Sequence, residues 1–284
     1  MNKIYSASDG SADGDGPRNQ LYQSSDRNRV LIAYRLVQAG ILTSLLWKWR
    51  FFFYANQVYE SIEIIDDFFP WALRNASVLR TAFLGTVAAT SLNLFAMTHL
   101  IRRFSNLIAL LCLGILCVHQ GSYNDATFLT TWWCAVWAWW FGNRIDHDEP
   151  NELLLKAAFL GRVIISMILL GGAVGKWTEE YWSGQVLYDI YFVDRDYWIF
   201  NYLRDHYAKE ELQKIALWYS RNVVIVESIA GFFYWLLPLR LAAVAGVTLL
   251  ISIAAFSNLL LVSVLGCLIA LAATGFLPRK HNTL

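Results

Sequence analysis

Residues 241–277 read LAAVAGVTLLISIAAFSNLLLVSVLGCLIALAATGFL, a run of 37 positions without a charged side chain. A helix needs about 20 apolar residues to cross a bilayer, so this run is too long for one span. We divide it near Asn258 into two spans; the alternative is one long tilted helix. Six further segments have the apolar character of spans, at residues 30–53, 78–100, 104–119, 126–141, 153–176 and 222–239. The sequence thus predicts an all-α integral membrane protein, a bundle of about eight transmembrane helices.

The composition of the whole chain agrees with this class. Apolar residues fill 57% of the 284 positions and charged residues only 16%, whereas soluble domains average about 25% charged. So little charge excludes a soluble enzyme and a disordered chain, and a net charge of +1 gives no reason to expect nucleic acid as a partner. The histidines and cysteines show no metal-ligand spacing, so we expect no metal site. As partners we expect membrane lipids, because the chain belongs to the membrane class.

The placement of Lys and Arg predicts the orientation in the membrane. Short loops with Arg102, Arg144 and Arg240 alternate with short connections that carry neither Lys nor Arg. Basic short loops face the cytoplasm. We therefore expect a cytoplasmic N-terminus, with residues 1–27 as a disordered cytoplasmic tail and residues 278–284 as a second cytoplasmic tail.

Two longer segments, residues 54–77 and 177–221, then face outside. The second is rich in Trp, Tyr and Phe, which a solvated linker does not need. We expect this aromatic-rich outer loop region to fold as short helices on the membrane face, with Trp182 and Trp198 partly buried. Such a cover could shield a cavity from water. The alternative is that the rings only anchor the protein at the interface.

Charged side chains inside the predicted spans are candidates for function, because each costs about 2.5–3.5 kcal/mol on the insertion scale. Arg162 lies in the middle of one span, and Glu227 about one turn inside the next. Their depths differ, so a direct pair is not expected. For Arg162 we expect a tether to backbone carbonyls or to a polar residue such as Asn93. Glu227 lies nearer the outer side.

Lys176 follows a glycine-rich helix end, GGAVG at residues 171–175. Gly171 and Gly175 form a small-xxx-small pair, which predicts the close approach of another helix. A desolvated lysine here could serve as a base or proton relay. Snorkelling and the helix dipole explain a lysine at this position equally well.

The turn HQGSYND, residues 119–125, lies on the same predicted side as Lys176. His119, Asn124 and Asp125 can all supply hydrogen bonds there. We expect Lys176 and this turn to share one cavity. Asn124 and Asp125 are also good N-cap residues for the following helix, which is the structural alternative.

The stretch GGAVGKWTEEYWSG, residues 171–184, together with NDATFL, residues 124–129, resembles a known family. It is similar to HTTM proteins, the bacterial transmembrane relatives of vitamin K-dependent γ-glutamyl carboxylase, and more distantly to DoxX-like membrane proteins. The resemblance implies a bacterial inner-membrane protein in which Lys176 deprotonates a quinol or another isoprenoid lipid. The residues expected to contact this cofactor are Asn124, Trp177, Trp182 and Gly184.

Two departures from the carboxylase limit what the resemblance implies. Asp125 occupies the place of a histidine that assists deprotonation there, and we expect no lumenal β-rich domain of the carboxylase kind after residue 277. Three functions therefore stay open. The first is a quinol- or lipophile-dependent enzyme with Lys176 as base and Asp125, His119 and Glu227 as helpers. The others are a non-catalytic subunit or maturation factor with a membrane protein partner, and a binder of lipophilic small molecules.

Overall fold

The computed structural model of the protein describes residues 17–57, 70–95, 98–119, 126–193, 197–257 and 259–279. Within these ranges all regular secondary structure is helical. In chain order the α-helices are α1 (Pro17–Trp47), α2 (Phe51–Tyr54), α3 (Ala76–Phe95), α4 (His99–Val118), α5 (Ala126–Arg144), α6 (Pro150–Val174), α7 (Glu179–Trp182), α8 (Gln185–Tyr188), α9 (Trp198–His206), α10 (Lys209–Phe233), α11 (Leu239–Phe256) and α12 (Val262–Ala273). A π-helix covers Asp189–Val193, and 3₁₀ turns cover Trp71–Leu73, Tyr234–Leu236 and Thr274–Phe276.

Five of these helices are long and apolar enough to cross a membrane: Ser25–Trp47 within α1, and α3, α4, α6 and α11. This is the architecture expected of a helical integral membrane protein. The other three predicted segments coincide with α5, α10 and α12. α12 is apolar but shorter, while tryptophan-rich α5 and the polar residues of α10, such as Arg221, lower the mean hydropathy of those helices.

The long apolar run at residues 241–277 contains two helices, as predicted. α11 ends at Phe256 and α12 begins at Val262, so the alternative of one long helix is wrong. Between them Leu259 has a φ of 58°, a left-handed conformation that turns the chain. Asn258, where we placed the division, lies outside the described residues.

Three helices begin at least five residues before the predicted span: α1, α4 and α10, the last of which includes residues 209–221 of the predicted outer segment. α1 starts at Pro17, so the predicted disorder of residues 1–27 is wrong for residues 17–27. Proline suits the first helical position, and Asp26 is held by Arg279 at 2.9 Å. α4 starts at His99 instead of in a loop around Arg102, because a capped first turn and an ion pair with Asp146 let this arginine be buried inside the helix.

A polar network crosses the core between α1, α3 and α4. Asn106 Oδ1 accepts hydrogen bonds from Gln38 Nε2 and Asn93 Nδ2, each at 2.9 Å. All three side chains are buried. Asn93 is therefore engaged here and is not the partner of Arg162. A buried and satisfied amide network of this kind fixes the relative register of the helices that carry it.

Residues 177–193 and 197–208, which we call the cap, contain short helices, whereas residues 209–221 of the predicted outer segment belong to the long helix α10. Leu187, Tyr191, Phe192 and Phe200 pack with the first half of α10 in a small core separate from that of the bundle. Trp182 is half-buried, and the side chain of Trp198 lies outside the described part of the structure. The cap is thus a folded layer on one end of α10.

Candidate functional site

An ion pair joins the end of α6 to α10. Lys176 Nζ lies 2.6 Å from Glu227 Oε1 and also contacts Oε2. The Glu227 side chain is 9% exposed, and the Lys176 side chain is 26% exposed. Sequence reasoning selected both residues but did not predict that they pair. A carboxylate removed from water in this way needs its counter-charge, so the two groups form one unit.

Close packing of α6 against α10 sets the position of this pair. A Cβ added to Gly231 would lie 2.8 Å from the backbone nitrogen of Leu170, so a larger residue would force the two helices to shift. The predicted close approach at Gly171 and Gly175 is wrong. A Cβ on Gly171 would meet nothing within 4 Å, and one on Gly175 only the carbonyls of its own helix. Gly172 lies under the ion pair instead, with a Cβ position 3.6 Å from Glu227 Oε2.

The ion pair forms the polar end of a cavity of about 540 Å³. The cavity is lined by residues of α10 and α11, two helices that are joined by a turn at residues 234–238. Leu187 and Tyr191 line the cavity on the side of the cap. The Tyr197 hydroxyl donates to the carbonyl oxygen of Ala255 at 2.8 Å, which fastens the cap to the far end of α11. The apolar wall consists of Ile190, Val223, Val226, Leu249, Ile253, Phe256, Leu260 and Leu261.

Tyr181 adds a phenol to the charged end of the cavity. Its ring centroid lies 6.0 Å from Lys176 Nζ, and its carbonyl oxygen accepts a hydrogen bond from Ser220. Burial raises the pKa of Tyr181, and the negative charge of Glu227 raises it further. The phenol therefore stays protonated at neutral pH and can donate a hydrogen bond. Sequence reasoning missed Tyr181 because one tyrosine in an aromatic-rich segment carries no distinguishing signal.

The predicted cofactor contacts in the cap do not line this cavity. Trp177 and Trp182 stack with centroids 5.0 Å apart, and the guanidinium of Arg221 lies 5.3 Å from the Trp182 ring centroid. Gly184 has a φ of 83°, and a Cβ there would lie 2.5 Å from the Leu217 backbone. Glycine at this position thus serves a tight turn and close packing on α10.

His119 is fully buried and does not line the cavity with Lys176. Its ring is hydrogen-bonded to the backbone of Leu73, beside the start of α3. Asn124 and Asp125 lie outside the described residues, so their expected roles stay predictions. The neighbouring Thr127 donates to Ser263 Oγ at 2.9 Å, which ties the start of α5 to α12.

Among the described residues no group of three His, Cys, Asp or Glu side chains could hold a metal ion. The cavity offers the charged pair, the phenols of Tyr181 and Tyr219, and the polar side chains of Asn222, Ser252 and Ser257 beside an apolar wall. Comparison of the chain with protein-family models, curated proteins and solved structures finds no match. Function is therefore argued from this geometry.

Proposed function

We propose that the protein binds a lipophilic molecule with a protic head group, such as a quinol or another isoprenoid lipid, and exchanges a proton with it. The observation that supports this is the Lys176–Glu227 pair at one end of a mostly apolar cavity of about 540 Å³. An apolar cavity with a few convergent polar groups is the usual form of a small-molecule site. Apolar walls suit the tail of such a ligand, and the charge pair suits its head.

In this proposal the two charges have different roles. Lys176, which donates to both carboxylate oxygens, is taken as the cation of the pair. Glu227 is then the group that accepts a proton from a ligand hydroxyl, and Lys176 stabilises the oxyanion that is left. This differs from the role implied by the family resemblance, in which Lys176 is itself the base. Tyr181 can donate a further hydrogen bond to the ligand oxygen.

Access from the bilayer is part of the proposal. The cavity opens between α10 and α11, and apolar side chains on both helices, such as Ile229 and Phe256, are exposed. A ligand dissolved in the membrane reaches this cleft without crossing water. Lipid-facing access favours a membrane lipid over a polar metabolite as the ligand.

We further propose that α1, α3, α4, α5, α6, α10, α11 and α12 all span the membrane, giving an HTTM-type protein of a bacterial inner membrane. Eight spans return both termini to the cytoplasm and place the cap outside, as the Lys and Arg pattern predicts. The family assignment rests on the sequence resemblance at residues 171–184. A carrier function follows if the ligand binds without conversion, and a subunit function if a membrane protein co-purifies.

The test measures the binding of a short-chain quinol to the purified protein. The readout is the quenching of tryptophan fluorescence. Lys176→Met and Glu227→Gln should each weaken binding roughly tenfold, the value of one charge-assisted hydrogen bond. Lys156→Met is the matched control, because Lys156 lies on the same helix and pairs at 2.7 Å with Glu152 on the exposed surface. Unchanged quinol binding in Lys176→Met, or no binding by the wild-type protein, would refute the proposal.

A further inference from the structure

Arg162 is a cation without a carboxylate. It lies within α6, and its guanidinium donates to the carbonyl oxygen of Leu237 and sits 5.5 Å from the Phe159 ring centroid. No acidic side chain of the described residues forms an ion pair with it. Its Nε atom is buried and has no hydrogen-bond partner there. The carbonyl tether expected from the sequence is confirmed, but it leaves the charge uncompensated.

Arg162 shares this arrangement with the half-buried Arg80 and Arg221, which each contact a carbonyl oxygen and an aromatic ring, but two other cations have a carboxylate partner. Arg102 pairs with Asp146, and Lys176 with Glu227. A carbonyl supplies a dipole but no charge, so Arg162 keeps its full positive charge in apolar surroundings. Such a charge within a membrane-spanning helix is costly unless an anion or water reaches it.

The turn from α10 to α11 fixes the position of the Arg162 guanidinium. Residues 234–238 form this turn, and irregular backbone exposed to lipid does not occur within the hydrocarbon layer. Because Arg162 binds the carbonyl of Leu237, its guanidinium lies beside this turn. Arg240 follows in the first turn of α11 and is exposed. Like Arg162, it has no ion-pair partner among the described residues.

The surface around this turn is suited to acyl chains. Phe159, Trp235 and Leu236 are all exposed there. Pro238 is the N-cap of α11 and makes no side-chain capping bond, so the positive end of that helix is uncovered. Two arginines and a helix N-terminus above an apolar surface match a phosphate above its acyl chains.

We infer that the phosphate group of an anionic membrane lipid binds at the turn between α10 and α11, held by Arg162 and Arg240. This site is separate from the cavity at Lys176. It faces the membrane side that carries the basic loops, where a phosphate completes the charge balance that the protein leaves open.

The test is native mass spectrometry of the full chain released from nanodiscs of phosphatidylglycerol and phosphatidylcholine. Wild-type protein should retain phosphatidylglycerol in preference to phosphatidylcholine, and Arg162→Gln should retain roughly tenfold less. Arg240→Gln changes an exposed side chain that folding does not require, and it should also reduce retention. Arg103→Gln is the control, because Arg103 is an exposed arginine of α4 on the same predicted side.

Equal phosphatidylglycerol retention by wild type and both test variants would overturn the inference, as would equal loss in Arg103→Gln. A titration with inorganic phosphate separates the two sources of the anion. Thermal stabilisation by inorganic phosphate as large as that by phosphatidylglycerol would overturn the assignment to a lipid. Stabilisation by the lipid alone, lost in Arg240→Gln, is the expected result.

Discussion

Replacing Gly231 by alanine tests the contact that sets the register of α6 against α10. The new methyl group would lie 2.8 Å from the Leu170 nitrogen and 2.9 Å from its Cα. Both are backbone atoms, so no side chain can rotate away and the helices must separate. Glu227 lies one turn before Gly231 on α10, so this separation should also loosen its contact with Lys176.

The expected magnitude follows from two opposing effects. Overpacking in a well-packed region costs about 1–3 kcal/mol, while alanine gains about 1 kcal/mol over glycine in a helix interior. Gly231→Ala should therefore range from neutral to destabilising by about 2 kcal/mol. Gly171→Ala is the matched control: the same substitution in α6, at a position where the Cβ meets nothing within 4 Å. It should be stabilising by up to about 1 kcal/mol.

The assay compares thermal unfolding of the two variants in one detergent, with quinol binding as a second readout. Gly231→Ala should melt below Gly171→Ala by a difference equivalent to about 1–3 kcal/mol. It should also weaken quinol binding, whereas Gly171→Ala should leave it unchanged. If Gly231→Ala is as stable as Gly171→Ala and binds quinol equally well, the contact with Leu170 does not set the site.

Three further predictions concern a phenol, a buried ion pair and the topology. Burial raises the pKa of Tyr181 above its usual value near 10. The contribution of Tyr181 to stability is therefore present below pH 10 and is lost as the pH rises further. Above pH 10 the melting temperature should fall less steeply in Tyr181→Phe than in wild type. Asp146→Asn leaves buried Arg102 without its counter-charge and should cost about 3–5 kcal/mol in the free energy of unfolding. Asp148→Asn breaks only a surface pair and should cost less than about 1 kcal/mol, so equal losses in chemical denaturation would contradict the distinction. Ser183→Cys should react with an impermeant maleimide added outside intact cells, and labelling only after lysis would reverse the proposed orientation.

The sequence identified the charged residues of the site but not their arrangement. Lys176 and Glu227 stand out because apolar helices rarely contain charges. Their pairing depends on how α6 and α10 are aligned, and that alignment follows from the contact between Gly231 and Leu170, which no local pattern reveals. The glycines at residues 171–175 formed a more recognisable motif than Gly231, but the helix contact that they predicted is wrong.

Helix boundaries failed where a charge was buried with a partner distant in the chain. Hydropathy placed Arg102 in a loop, because an unpaired arginine is not tolerated in a span. Its partner Asp146 lies beyond the end of α5 and neutralises it inside α4. The helical start of α1 was missed for a similar reason, since residues 17–27 are polar by composition but Asp26 is held by Arg279.

The shared turn of α10 and α11 acts as the pivot of a lever. α11 has 18 residues and is therefore about 27 Å long. A rotation of about 5° at the pivot moves the opposite tip by about 2 Å, because displacement grows with distance from the fulcrum. The hydrogen bond from Tyr197 to Ala255 lies at that end of α11, where a rotation produces the largest displacement. This hydrogen bond from the cap thus holds α11 at the end where a given rotation would move the helix furthest.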